Sequence, residues 1–284
     1  MRNLLAAIGA ELARNRTLLA GVVLLGIIIA VAILGPLLID PSHAKVGATI
    51  PRSPPNGQHW LGTDGQGRDV FTALLLAMPQ TLKIGLIAGL ISLSVGVALG
   101  LIAGFSGGIV DTVIRLFSDV MMTIPGIAIL VLVASNVREM TVELMAVIVA
   151  CLSWMVATRT IRAQTLSLRE RGYVQIARLN GSSELKLIFV EVLPNLLPFI
   201  ASSFVIAVSN AMLATIGLEA LGLGPQSELT LGMTIYWAQF YGAIVRGMWW
   251  WWGPPIILIS LIFIGLMLAS AGMDGFVNKR LRSD

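Results

Sequence analysis

Six predominantly apolar stretches, at about residues 17–39, 82–105, 109–134, 142–161, 196–218 and 255–268, divide this chain of 284 residues. The first, about 23 residues long, makes roughly 35 Å of α-helix, enough to cross about 30 Å of hydrocarbon. Composition agrees. Apolar residues make up 56% of the chain, charged residues 12%, and mean hydropathy is +0.87, as in a multispanning membrane protein. A cleavable leader is the competing reading of the first stretch, but Gly35-Pro36-Leu37-Leu38 is a poor small-residue cleavage site, so the run reads as a retained span.

Residues 40–79 form a Pro/Gly/Asp-rich connector, too polar to enter lipid unless its backbone is satisfied. Within it stand His59-Trp60-Leu61-Gly62-Thr63-Asp64 and Gly67-Arg68-Asp69-Val70. Gly62 and Gly67 permit tight turns, while Asp64, Arg68 and Asp69 are expected to pair among themselves and cap the next helix. No GxxxxGK[ST] motif occurs, since no glycine is followed directly by lysine, so a nucleotide site in this chain is not expected. His43 and His59 have no partner at metal-ligand spacing, and the single Cys151 lies in an apolar run as a small packing residue. The connector therefore reads as a structural plug at the membrane surface.

In the second stretch Gly85, Gly89, Gly96, Gly100 and Gly104 form a stripe that lets another helix approach closely, either within the chain or from a partner subunit. Ser106-Gly107-Gly108 is a tight turn into the third stretch, where Asp111, Arg115 and Asp119 sit four apart and are expected to pair with one another. Pro125-Gly126 is a candidate bend in that span. The fifth stretch holds Asn210 and several serines, which suit either interhelical bonding or a translocation path. Tyr236, Trp237, Tyr241 and the run Trp249 to Trp252 read as an interfacial aromatic belt.

The polar, basic island at 169–198 is the part of the chain suited to meeting another molecule. Tyr173, Ile176 and Ala177 share one helical face, and Asn180-Gly181 supplies a left-handed stop. Ser182 and Ser183 are N-caps for a second helix in which Leu185, Ile188, Phe189 and Val192 repeat at amphipathic spacing, leading into the fifth stretch through Pro194.

Tyr173-Val174-Gln175-Ile176-Ala177, Gly181, and Leu193-Pro194-Asn195 together resemble the cytoplasmic EAA loop of ABC importer permeases of the dipeptide/oligopeptide family, C-type subunit. The connector motif at 59–70 is similar to that family's signature ahead of its helical core, and Leu221-Gly222-Leu223-Gly224 resembles a further family element. Gln175 stands where the family usually has Glu, Glu191 where His is common, and Leu229-Thr230-Leu231-Gly232 where it has PSWG. The resemblance implies an all-α membrane domain with six transmembrane helices and type I importer architecture, in which a coupling helix between spans four and five docks on an ATP-binding subunit. It assigns coupling to Tyr173, Gln175, Ile176, Ala177, Arg178, Gly181, Leu193 and Pro194, and the extracytoplasmic signature to Leu61, Gly62, Thr63, Asp64, Gly67, Arg68 and Asp69. Two units follow, an N-terminal segment with first span and connector at 1–79, and a permease core at 80–284.

The implied partners are a homologous second permease, two ATP-binding subunits that carry ATP and Mg, an extracytoplasmic binding protein, and lipid. With the N-terminus inside, 13 of the 19 Lys and Arg fall on the cytoplasmic side, among them Arg2, Arg14, Arg282 and the island, so both termini are expected in the cytoplasm of a prokaryotic inner membrane. The net charge of +4 then needs no nucleic acid. Peptides are the commonest cargo of such a family, with nickel chelates, glutathione and oligosaccharides carried by related systems. An ATP-independent secondary transporter is the alternative class, but it would need a mid-membrane ion site and, as a rule, an internal repeat, and neither is visible. An intramembrane enzyme would need a nucleophile-base set that the spans lack.

Overall fold

The computed structural model describes residues 15–280; Arg2, Arg14 and Arg282 lie outside them, as do the side chains of Lys279 and Arg280. Among the described residues the chain is helical, with no strand beyond an isolated bridge between Thr63 and Asp69. Four helices are long and apolar enough to cross a membrane: α1 (Arg16–Leu34, continued by a 3-10 turn to Leu37), α2 (Val70–Ser106), α8 (Glu184–Ala220) and α10 (Trp249–Arg280). Two further spans are bent pairs, α3 (Gly108–Thr123) with α4 (Gly126–Ser135), and α5 (Val142–Cys151) with α6 (Trp154–Arg169). Counting each pair as one span gives six. Outside the spans lie α7 (Gly172–Leu179) and α9 (Leu231–Phe240).

The bend at Pro125-Gly126 is 76°, because Pro125 has no N–H to continue the ladder and Ile124 before it is held extended. A second break, of 47° between α5 and α6, was not foreshadowed by any proline; Leu152 and Ser153 close it as a turn. Cys151, expected as a packing residue, ends α5 just before that turn and is exposed.

The second span starts at Val70, ahead of the expected residue 82. Asp69 Oδ1 accepts from Thr72 N at 2.8 Å and opens α2 at Val70, so the connector ends ten residues before position 79. Residues 70–79, expected in the connector, are instead helical and packed on protein, with Val70, Leu74 and Met78 in a core shared with Ile28, Trp251, Ile262 and Leu266.

The glycine stripe of α2 serves packing within the chain. Gly85 and Gly89 face Met212 and Val208 of α8, whereas Gly96, Gly100 and Gly104 face Ala157, Ile161 and Thr165 of α6. A Cβ at Gly104 would lie 2.7 Å from that of Thr165, too close for either helix to hold its place. α2 is thus the central post, with α8 against its N-terminal half and α6 against its C-terminal half. α1 and α10 pair in the same way. Gly272 is pressed on Leu18 and Gly21 on the backbone at Ala269, and Asn15 donates to the Gly272 carbonyl at 2.8 Å.

Candidate functional site

α7 is short, and its own sequence does not hold it; contacts with the ends of two spans do. Val174 is fully buried in a cluster with Phe105, Ile161, Leu168, Leu187, Val192 and Leu196. Arg169, the last residue of α6, donates through Nη1 to the carbonyls of Gly104 and Phe105, both at 3.2 Å. These are terminal carbonyls of α2 with no partner further along the helix, and a cation there also complements the helix dipole. Gln175 Nε2 donates to the Arg169 carbonyl at 3.1 Å. A glutamate, having no proton to give when ionised, could not make that bond, so the family departure at this position has a local physical reason. Arg178 lies 5.6 Å over the Phe105 ring and 3.6 Å from Glu184, which opens the next helix.

The elbow after α7 is a Schellman turn. Ser182 N donates to the Ala177 carbonyl at 3.1 Å and Gly181 N to that of Arg178 at 3.0 Å, with Gly181 at φ +80°. Ser183 then caps α8, accepting from Lys186 N at 3.4 Å. The amphipathic face expected at Leu185, Ile188, Phe189 and Val192 is redistributed, however. Residues Leu187–Val192 form a π-helix, whose wider turn buries Leu187 and Val192, five apart, and leaves Leu185 and Phe189 exposed. The π-turn feeds directly into Leu193 and Pro194, so the chain passes a residue lacking an N–H without ending the helix. Leu193 is half-buried and Pro194 exposed, away from the elbow.

What α7 leaves bare is equally specific. Tyr173, Ile176 and Leu179 are 39%, 61% and 86% exposed, while Ala177, expected on the same face, is half-buried toward the seat. An apolar ridge thus stands bare on a rigidly seated helix, beside the exposed Arg171.

Asp111 pairs across the third and fourth spans with Arg162 in a two-pronged bond, Nη2 to Oδ2 at 2.7 Å, and not with Arg115 as its spacing predicts. This fastens α3 to α6 about two turns before Arg169. Helix spacing alone misses it because Arg162 comes from another span.

The connector motif is a folded clasp. Thr63 Oγ1 donates to the Ile50 carbonyl at 2.6 Å and accepts from Ser53 N at 2.8 Å; Asp64 Oδ1 accepts from Gln66 N and Arg68 N. Burial pushes the Asp64 carboxyl up, against the pull of those backbone bonds. Gly62 and Gly67 have positive φ, and a Cβ on either would meet a backbone oxygen at 2.5 Å. Asp69, besides capping α2, holds His59 Nδ1 at 2.8 Å. The expected pairing among Asp64, Arg68 and Asp69 does not form. The two carboxylates are taken by backbone amides and His59, and Arg68 has no carboxylate within 4 Å among the described residues. Leu61 is half-buried against the core around Trp251. The tryptophan run is only partly an exposed belt. Four successive residues of a helix point in four directions, so Trp249 is exposed, Trp250 Nε1 donates to the Thr63 carbonyl at 3.2 Å, and Trp251 is buried against Gly65.

At the far end of α8, Glu219 is fully buried, and its carboxylate fills the space a side chain on Gly232 would need; Gly224 closes on its Cγ, where a Cβ would lie at 2.7 Å. The Leu221-Gly222-Leu223-Gly224 element and the start of α9 therefore fold around one acidic side chain. No spacing rule pointed to it.

Residues 96–283 match the family model described as binding-protein-dependent transport system inner membrane component. Among curated relatives, the dipeptide transport system permease protein DppC of Bacillus subtilis is 29% identical, over 96% of this chain and 84% of that protein. The oligopeptide transport system permease protein OppC of Mycobacterium tuberculosis is 29% identical, over 78% of this chain and 77% of its own. DppC of Alkalihalophilus pseudofirmus is also 29% identical, over 77% of this chain and 72% of that protein.

Proposed function

Because this chain belongs to the family of binding-protein-dependent transport system inner membrane components, we propose that it is the permease subunit of an ABC importer that carries di- and oligopeptides inward. It is a transport subunit, not an enzyme, and ATP is hydrolysed on separate subunits. The observation that carries the reading is the construction of α7, whose one face is locked to the ends of α2 and α6 while the other presents Tyr173, Ile176 and Leu179.

In this reading both termini are cytoplasmic, and the bare ridge of α7 sits in a groove of an ATP-binding subunit that holds ATP and Mg. A homologous permease completes the path, and an extracytoplasmic binding protein delivers the cargo. When the ATPase pair closes on ATP, the displacement of α7 is transmitted through Arg169, Gln175 and Arg178 to the inner ends of α2 and α6. The spans then tilt as rigid bodies and access alternates.

Gentle purification of the chain from its own membrane, with mass spectrometry of its companions, tests this directly. ATP-binding subunits and a sister permease are the expected companions. Recovery of the chain alone, moving solute in vesicles without ATP, would overturn the importer and favour a secondary transporter.

A further inference from the structure

Between α6 and α8 lies an open cleft of about 350 Å³, within the roughly 300–1,000 Å³ range of ligand sites. Its polar lining is Ser153 at the start of α6, Thr160 and Gln164 within it, and Ser202, Ser203 and Asn210 from α8, with no charged residue. The two helices run in opposite directions through the membrane, and each contributes a stretch of some 17 Å, so the polar lining follows the transport axis. Ser153, Thr160 and Ser202 give their hydroxyl protons to carbonyls of their own helical segments, at 2.7, 3.1 and 3.2 Å, and keep acceptor capacity toward the cleft. The amides of Gln164 and Asn210 take part in no side-chain hydrogen bond among the described residues. Facing acyl chains, such a stripe would leave several polar groups without partners at a cost of a few kcal/mol each, about 1–3 by mutational measures.

A second observation falls at the same place. The break between α5 and α6 is at Leu152-Ser153, and Ser153 lines the cleft. Backbone released from a helix within a membrane is tolerated only where it is buried in protein or borders a water-filled cavity.

We infer that this cleft is the chain's own share of the translocation path, and that it recognises the main-chain amides of a peptide through uncharged hydroxyl and carboxamide groups. Such groups offer donors and acceptors to any peptide bond and no charge to select or repel a side chain. The inference rests on the peptide-importer reading and adds to it a site and a specificity rule: neutral, acidic and basic side chains pass alike.

The test uses the complete transporter with its binding protein and ATP-binding subunits, reconstituted in vesicles, with tri-alanine and its glutamate-containing counterpart Ala-Glu-Ala as probes. In a Cys151→Ala background, the Ser203→Cys variant is expected to react with a water-soluble thiol reagent, and saturating tri-alanine during turnover to slow that reaction about fivefold or more. The Asn210→Asp variant is expected to lose about tenfold in uptake of Ala-Glu-Ala relative to tri-alanine, since a carboxylate in a poorly solvated site repels a like charge. General loss of fold or packing would not produce that selectivity. A position-203 thiol that reacts only with lipid-soluble reagents, or at a rate peptide does not alter, overturns the cleft assignment. So does Asn210→Asp uptake with unchanged preference. Failure of the unaltered transporter to take up either peptide with ATP sinks the peptide-importer reading itself, an outcome distinct from normal uptake that ignores the cleft variants.

Discussion

The guanidinium of Arg178 rests over the ring of Phe105 at 5.6 Å, joining α7 to the last turn of the central span. Replacing Arg178 with Gln keeps much of the stem but removes the cation, and the contact is worth about 0.5–2 kcal/mol. ATP hydrolysis by the complex is expected to continue while uptake per ATP falls severalfold. Parallel assays of phosphate release and labelled peptide uptake decide it; an unchanged ratio would mean the contact does not transmit motion.

Gln175→Glu restores the residue common in the family but removes the donor to the Arg169 carbonyl. With the neighbouring acceptor unmet, about 1–3 kcal/mol of local stability is expected to be lost. Limited proteolysis of the detergent-solubilised protein should then cut between residues 170 and 185 faster than in the unaltered protein. Equal rates would show that the amide bond contributes nothing to the seat.

A Cβ at Gly181 would find no neighbouring atom within 4 Å, so substitution there meets strain alone, not collision. With φ at +80°, Gly181→Val is expected to cost about 1–2 kcal/mol and to lower coupling, whereas Gly181→Asn should retain most of it. The contrast between the two variants, measured as uptake in vesicles, separates backbone handedness from side-chain bulk.

Gly232→Ala drives a methyl group into the Glu219 carboxylate, and Glu219 has no open space to yield. Overpacking of this kind costs about 1–3 kcal/mol, so the melting temperature in detergent should fall by several degrees. Pairing Gly232→Ala with Glu219→Ala should recover part of the loss by making room. A double variant no better than the sum of the two would place the damage elsewhere.

Much of the architecture was legible because its causes are local. Apolar length marks the spans, Pro125 marks its own bend, and Gly181 with Ser183 marks the elbow that the Schellman turn and N-cap make. The exposed ridge of α7 was legible for the same reason, since Tyr173 and Ile176 share a face. The seat beneath it was not. Arg169 with Gly104, Arg162 with Asp111 and Trp250 with Thr63 join residues 51 to 187 positions apart, and no periodicity records such pairs. Misreadings arose where one local rule competed with another. The π-turn at Leu187–Val192 breaks the 3.6-residue period that the apolar pattern assumes, and the cap at Asp69 opens a helix whose first residues, Val70 to Met78, are already mostly apolar but precede Pro79 and the polar pair Gln80-Thr81, which read in sequence as the end of a connector.

The union of α1 with α10 carries a consequence for synthesis. Asn15 and Gly272, bonded to each other, are 257 residues apart, so the first span leaves the ribosome long before the helix it packs against exists. At about 5–20 residues per second that interval is roughly 13–50 s, during which the small-residue face around Gly21 has only lipid or a foreign helix for company. Closure of α1 on α10 is therefore a late tertiary event, and a truncation before residue 265 leaves the first span only its contacts with α2 and α8, around Ile28, Val70 and Leu74.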